Sequence, residues 1–312
     1  MPPSSDATDA DVRVCQWRSQ AEALTHFATY AGPTQSQQHI KPLHWYVACR
    51  LVLEGGFRPE EITPRPPFVV RKKRDELLLE YDPSAAQGGE ATILGGLKTK
   101  NVDVVVEKSG IGPVLAVSCK GMTGAFRNLT NRMEETIGEC TNLHITYPAL
   151  VFGYLFVIRG NRLEEEAVSQ TAPDNAPAAR QLAGNDIAIQ KGGDPVESII
   201  RFHAALRELT GRRGIRNDVS RYEAVSLAMI NMSQGNVGSL LQEFPPLGSP
   251  LRIEEFFKTL YLRYDERFVY SAPDLKKVTR RLEWSTASPA LSSFNSAKIG
   301  YEARVTTSSG PD

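Results

Sequence analysis

The chain has 312 residues, 41% of them apolar, enough to bury one substantial core in a soluble globular protein. Its 36 basic and 36 acidic side chains cancel, which excludes bulk attraction to nucleic acid and confines any such binding to a local basic cleft. Four cysteines, at positions 15, 49, 119 and 140, show neither CxxC pairing nor zinc-ligand spacing, so free thiols in a reducing cytoplasm are expected.

Residues 1–12 are rich in Pro, Ser and Asp and lack the basic-then-apolar order of a secretory signal; disorder is the expectation there. Segments 20–30 and 42–54 predict helices, the second closed by Gly55-Gly56. Trp17, Trp45 and Tyr46 read as core residues. Residues 57–67 are a proline-punctuated loop. PFVV, the basic run Arg71-Lys72-Lys73-Arg74 and ELLLEYD then predict a strand with a helical or extended continuation. The basic run reads as a solvated face lying ahead of the hairpin described next. Gly88-Gly89 and Gly95-Gly96 read as a flexible connection, since no GxxxxGK[ST] pattern accompanies Lys98 and Lys100.

Residues 97–158 carry the chemistry. Segments 102–107 and 114–120 are apolar, β-branched runs of strand length around the turn-forming SGIGP, and they predict a hairpin. Antiparallel pairing about Gly110 sets Asp103 opposite the region of Val117 and Cys119, and alternation puts Ser118 and Lys120 on one face. Over 125–143, Phe126, Leu129, Met133, Ile137 and Cys140 recur at three- and four-residue steps, the stripe of a core-packed helix. Glu134 lies about a hundred degrees from Met133, at the edge of that stripe; Glu135 is the alternative one position on. Arg127 and Asn131 share the flank of Glu134 and are candidate DNA contacts.

Two carboxylates, Asp103 and Glu134, with the backbone carbonyl of Cys119, offer the hard oxygen donors that Mg²⁺ accepts alongside water and phosphate. A lysine beside them, Lys120, orients or helps deprotonate a water and offsets charge on the attacked phosphate. The combination reads as a phosphodiester hydrolysis site.

The order Asp103, then Ser118-Cys119-Lys120, resembles the PD-(D/E)xK nucleases, above all the type II restriction endonucleases. Val102 stands where that motif has proline, and Ser118 where it has its second acid. A subgroup of the family has SxK at this place and takes the missing acid from the following helix, fourteen residues beyond the lysine; Glu134 stands at that offset from Lys120. The resemblance implies metal ligation by Asp103 and Glu134, support by Ser118 and positioning of water by Lys120. Some members read CCGG with an arginine- and aspartate-containing patch after the lysine; here GMTGAFRN holds one arginine, and base specificity does not carry over. Some relatives add an acid from an upstream helix, a place open to Glu76 or Glu80.

Residues 149–158 predict a buried central strand, half the length of a membrane span, with Arg159 and Arg162 just past its end, where ligands of such sheets collect. A long surface insertion follows over 163–194. Asp194-Pro195 opens a helix running to Leu209, on which His203 reads as a packed histidine. GRRGIRND offers Arg212, Arg213 and Arg216 as phosphate or guanine contacts. Segment 222–232 predicts a strand and 254–268 an amphipathic helix; beyond it, Lys276, Lys277, Arg280 and Arg281 at helical spacing form a second candidate DNA contact.

These readings predict an α/β (α+β) fold resembling the restriction endonucleases: a mixed sheet flanked by helices, one nuclease domain over 13–290 and a loose tail over 291–312. The function they imply is a Mg²⁺-dependent type II restriction endonuclease cutting both strands of duplex DNA. A symmetric homodimer on a near-palindromic site and a companion DNA methyltransferase are the partners expected by family analogy. The other classes are a different nuclease of that fold, acting in repair, on junctions or in defence, and a non-catalytic DNA-binding module.

Overall fold

The computed structural model describes residues 17–34, 37–163, 182–216, 218–292 and 299–306, apart from the side chain of Arg127. Two helices open the described chain, α1 (Gln20–Thr29) and α2 (Lys41–Leu53). Ser19 and Glu22 start α1 with a reciprocal capping box that satisfies two otherwise orphaned amides. Nearly every residue of α2 is buried, including His44 and Arg50, so it runs through the body of the protein.

Next come β1 (Ile62–Thr63), a hairpin of β2 (Phe68–Lys73) with β3 (Glu76–Tyr81), and a second hairpin of β4 (Ala91–Leu94) with β5 (Thr99–Val102). ELLLEYD is therefore the return strand of a hairpin, in which Glu80 pairs with Arg71 at 2.8 Å. The glycines at 95 and 96 are likewise no flexible connection. They lie in the β4–β5 turn, which Asn142 holds through hydrogen bonds to Leu97, Lys98 and Gly96.

The main sheet has five strands in the order β1-β6-β7-β8-β9, with β6 (Val104–Lys108), β7 (Gly112–Met122), β8 (Val151–Gly160) and β9 (Ala224–Asn231). β1, β6 and β7 are antiparallel, while β7, β8 and β9 run parallel. The parallel steps are made through α3 (Leu129–Thr146) and α4 (Glu197–Glu208), which pack on the same face, as crossover connections require.

Alternation along β7 and β8 feeds two cores. Leu115, Val117, Cys119, Val151, Leu155 and Val157 face α1, α2 and α5 (Ile253–Tyr264). Ala116, Phe152, Tyr154, Phe156 and Ile158 face α3 and α4. Covered on both sides, these strands read as unbroken apolar runs, and each buried Val, Leu or Phe contributes roughly 1.5–3 kcal/mol relative to exposure. The architecture is thus mixed α/β, with a helix-flanked mixed sheet. No described helix is long and apolar enough to cross a membrane.

The expected helices and strands lie close to their predicted spans. α3 buries the apolar stripe at Leu129 and Cys140 and packs Met133 on the core, but its buried face is wider and more polar than the stripe: Ile137 is 39% exposed, whereas Thr136, Glu139 and Asn142 are buried. Cys49, Cys119 and Cys140 are buried thiols outside any disulfide, and His203 is packed with its Nε2 2.9 Å from Ser249 Oγ. In the segment read as a loose tail, Ile299 and Tyr301 join the core and Val305 bridges to Trp284.

Candidate metal centre

Asp103 sits in the bend between β5 and β6. Its neighbours Val102 and Val104 enter opposite cores although they are two residues apart, so strand alternation breaks there. The pairing of Val104 with Val117 then brings Asp103 beside Ser118 and Cys119, as the hairpin register predicts. Its Oδ2 accepts the Cys119 N–H at 2.7 Å, and Lys120 Nζ and Ser118 Oγ each stand 3.4 Å from that same oxygen.

Glu139, on the buried face of α3, is a second carboxylate beside Ser118. Its Oε1 lies 3.1 Å from Ser118 Oγ, and Lys100 of β5 approaches it to 3.9 Å. Ser118 has one proton for two carboxylates, so the hydroxyl cannot satisfy Asp103 and Glu139 together. Glu134, expected in this role, is exposed on α3, and Glu135 is exposed and paired with Arg132. The helix turns the position fourteen residues after Lys120 toward solvent and presents Glu139 to the sheet instead.

The electrostatics follow from burial and pairing. Burial pushes the Asp103 carboxyl up, but His44, Lys120 and the Cys119 N–H outweigh it and hold the group below its usual range. Burial keeps Glu139 above the ordinary carboxylate value despite Lys120 and Lys100. Burial disfavours the Lys120 ammonium, yet Asp103 and Glu139 overcome that and raise its pKa, so Lys120 is a firm cation at neutral pH.

A second group of donors meets the other oxygen of Asp103. His44 Nε2, from α2, is 3.7 Å from Oδ1. Glu90, in the loop before β4, completes a trio whose ligand atoms all lie within 4.8 Å of one another, and Lys41 pairs with Glu90 at 3.1 Å. Burial drives the His44 pKa down to about 4, leaving the ring neutral. Neither Glu76 nor Glu80 joins this group: Glu76 accepts from Ser285 Oγ and Glu80 is taken by Arg71.

The candidate DNA contacts are scattered. Arg212 is a core residue: its guanidinium is buried, 2.8 Å from Glu223 and bonded to the carbonyls of Pro148 and Ile215. Arg267 meets the same Glu223 at 2.6 Å. The cluster lies at the start of β8 and β9, the opposite end from Lys120. Asn131, Arg213, Arg216, Lys276, Lys277 and Arg280 are exposed, and the side chain of Arg127 lies outside the described residues. The two lysines belong to a helical turn of only four residues, Lys276–Thr279.

A cleft of about 1100 Å³ opens at the C-terminal ends of β7, β8 and β9, starting at Gly121 immediately after Lys120. Among the described residues Arg132, Arg159 and Arg162 line it, against one acid, Asp186. Arg162 stands past the central strand as expected, whereas Arg159 lies within its last two residues and donates to the Phe27 and Tyr30 carbonyls.

The chain matches no family model, and no curated protein or solved structure compared with it is similar to it.

Proposed function

We propose that this protein is a metal-dependent nuclease of the PD-(D/E)xK kind with a restriction-endonuclease-like fold, hydrolysing phosphodiester bonds in duplex DNA. The observation that carries the reading is the meeting of Asp103 and Glu139 at the single hydroxyl of Ser118, with the Lys120 ammonium 3.4 Å from the Asp103 carboxylate.

The donors fit Mg²⁺. Two buried carboxylates share one hydroxyl proton, and burial disfavours the ionised form of Glu139; a divalent cation would relieve both conditions. Asp103, Glu139 and the Cys119 carbonyl would hold the ion. When bound it supplies an acidified water and a Lewis acid for the phosphoryl oxygen.

The chain's own residues do the rest. Cys119 N–H fixes the Asp103 carboxylate, and Ser118 fixes Glu139. Lys120 stays protonated, so it acts as a donor that orients the attacking water and balances charge on the phosphate. Arg132, Arg159 and Arg162 give the adjoining cleft the local positive charge that the neutral whole lacks, suiting it to the polynucleotide backbone on either side of the scissile bond. Cutting both strands calls for two such centres, hence a homodimer, with a methyltransferase guarding the host's copies of the site.

Incubation of the purified full chain with a mapped plasmid and Mg²⁺, followed by sequencing of the ends, tests the proposal. Discrete cuts at a repeated short site, lost in Lys120→Ala and Glu139→Gln, are the expected result. A folded protein that leaves the plasmid intact, or one whose Glu139→Gln variant cuts as well as the native chain, would overturn it.

A further inference from the structure

We infer that Asp103 serves two cation positions, and that the second, formed by His44, Glu90 and Asp103 Oδ1, takes a divalent first-row transition ion in preference to Mg²⁺. The inference goes beyond the nuclease reading and shares with it only Asp103.

The two oxygens of Asp103 face different surroundings. Oδ2 meets the Cys119 N–H, Ser118 and Lys120, whereas Oδ1 looks toward His44. His44 is 1% exposed, and its Nε2 has no hydrogen-bond partner. An orphaned polar atom in the interior is destabilising, and a cation between it and the two carboxylates removes that cost.

The spacing agrees. At 3.7 Å, Nε2 and Oδ1 are too far apart for a hydrogen bond but are separated as two ligands of one ion are, at roughly 2.0–2.2 Å per bond. An imidazole offers its Nε2 lone pair to a cation when the proton resides on Nδ1. Lys41 neutralises Glu90 across 3.1 Å on a partly exposed stem, so it can swing to solvent when a cation takes its place.

The donor set decides the ion. Mg²⁺ favours all-oxygen shells rich in water, while imidazole suits first-row transition metals; one nitrogen with two carboxylates points to that group, with Mn²⁺ as the practical probe.

The test is pulsed electron paramagnetic resonance of Mn²⁺ added to the full chain without nucleic acid. The expected echo carries the modulation of one directly bound ¹⁴N, survives an excess of Mg²⁺ and vanishes in His44→Gln. Should that variant fail to fold, Glu90→Gln serves, with Mn²⁺ affinity lowered roughly tenfold or more and the nitrogen signal retained. Absence of nitrogen coupling in the native chain, its persistence in His44→Gln, displacement of Mn²⁺ by Mg²⁺, or unchanged affinity in Glu90→Gln overturns the inference. Plasmid cleavage with Mg²⁺ alone, run in parallel, reads the nuclease proposal separately. A nitrogen-coupled ion without cleavage sinks only that proposal, and cleavage without nitrogen coupling sinks only the second position.

Discussion

Ser118 Oγ on the central strand lies 3.1 Å from Glu139 Oε1 on the following helix, so the first residue of the Ser-Cys-Lys tripeptide meets the acid that α3 turns toward the sheet. Removing that acid as Glu139→Gln should lower Mg²⁺-dependent cleavage by about 10² or more. Ser118→Ala, which only frees Glu139 from its tether, should cost about 10–100-fold. Glu134→Gln, altering an exposed carboxylate, should stay within about twofold of native, on the expectation that exposed charges distant from the chemistry matter little. Initial rates on supercoiled plasmid rank the three; equal effects at 134 and 139 would contradict the assignment.

The buried imidazole of His44 makes stability depend on pH. Its pKa falls from 6.5 to about 4 on folding. Between those values the unfolded chain binds a proton that the folded chain refuses, so stability drops as pH falls through this window, by on the order of 3 kcal/mol for the metal-free protein. His44→Gln should flatten that slope. Urea midpoints across the window read the difference, and parallel curves for the two proteins would disprove the coupling.

Glu223 sets a separate acid limit. Burial pushes its carboxyl up, but His144, Arg267 and the Phe152 N–H hold it below the ordinary 4.5. Its contribution is therefore present above pH 4.5 and lost as pH falls through the lower folded value. Removal of one partner from such a buried group costs about 3–5 kcal/mol, so Glu223→Gln and Arg212→Ala should both lose stability of that order at pH 7. The Glu223→Gln deficit should shrink on acidification. Arg213→Ala, on the exposed neighbour, should leave the melting temperature in place.

Local pattern made the β6–β7 hairpin legible, because two β-branched runs about a glycine turn admit few registers, and Asp103 had to fall near Ser118. Glu139 was hidden because apolar periodicity assumes a greasy buried face, whereas α3 buries Thr136, Glu139 and Asn142 with partners of their own: Tyr222 donates to the Thr136 carbonyl, Ser118 meets Glu139, and Asn142 holds the β4–β5 turn. Polar residues recurring at three-residue steps from 136 to 142 were the available signal. His44 and Glu90 carried none, since their meeting depends on how α2 and the β4 loop pack around Asp103. Arg212 looked like a surface cation because its counter-charge, Glu223, only becomes its neighbour when the loop folds back on the start of β9.

Gly121, next to Lys120, is closely packed: a Cβ there would fall 2.6 Å from the Phe27 ring and 3.2 Å from His39. Gly121→Ala should destabilise by about 1–3 kcal/mol as α1 is forced away. Differential scanning calorimetry should show the fall, and an unchanged transition would mean that α1 yields freely.

The grip of Asn142 on residues 96–98 reaches further than the turn it closes. It gears the β4–β5 hairpin to helix α3, three residues beyond Glu139 on the same helix. A shift of the helix along its axis would drag Lys100 with the acid it neutralises and tug on the ribbon that begins just after Glu90. Both sides of Asp103 are thereby yoked to one amide, and disturbance at either is transmitted to the other.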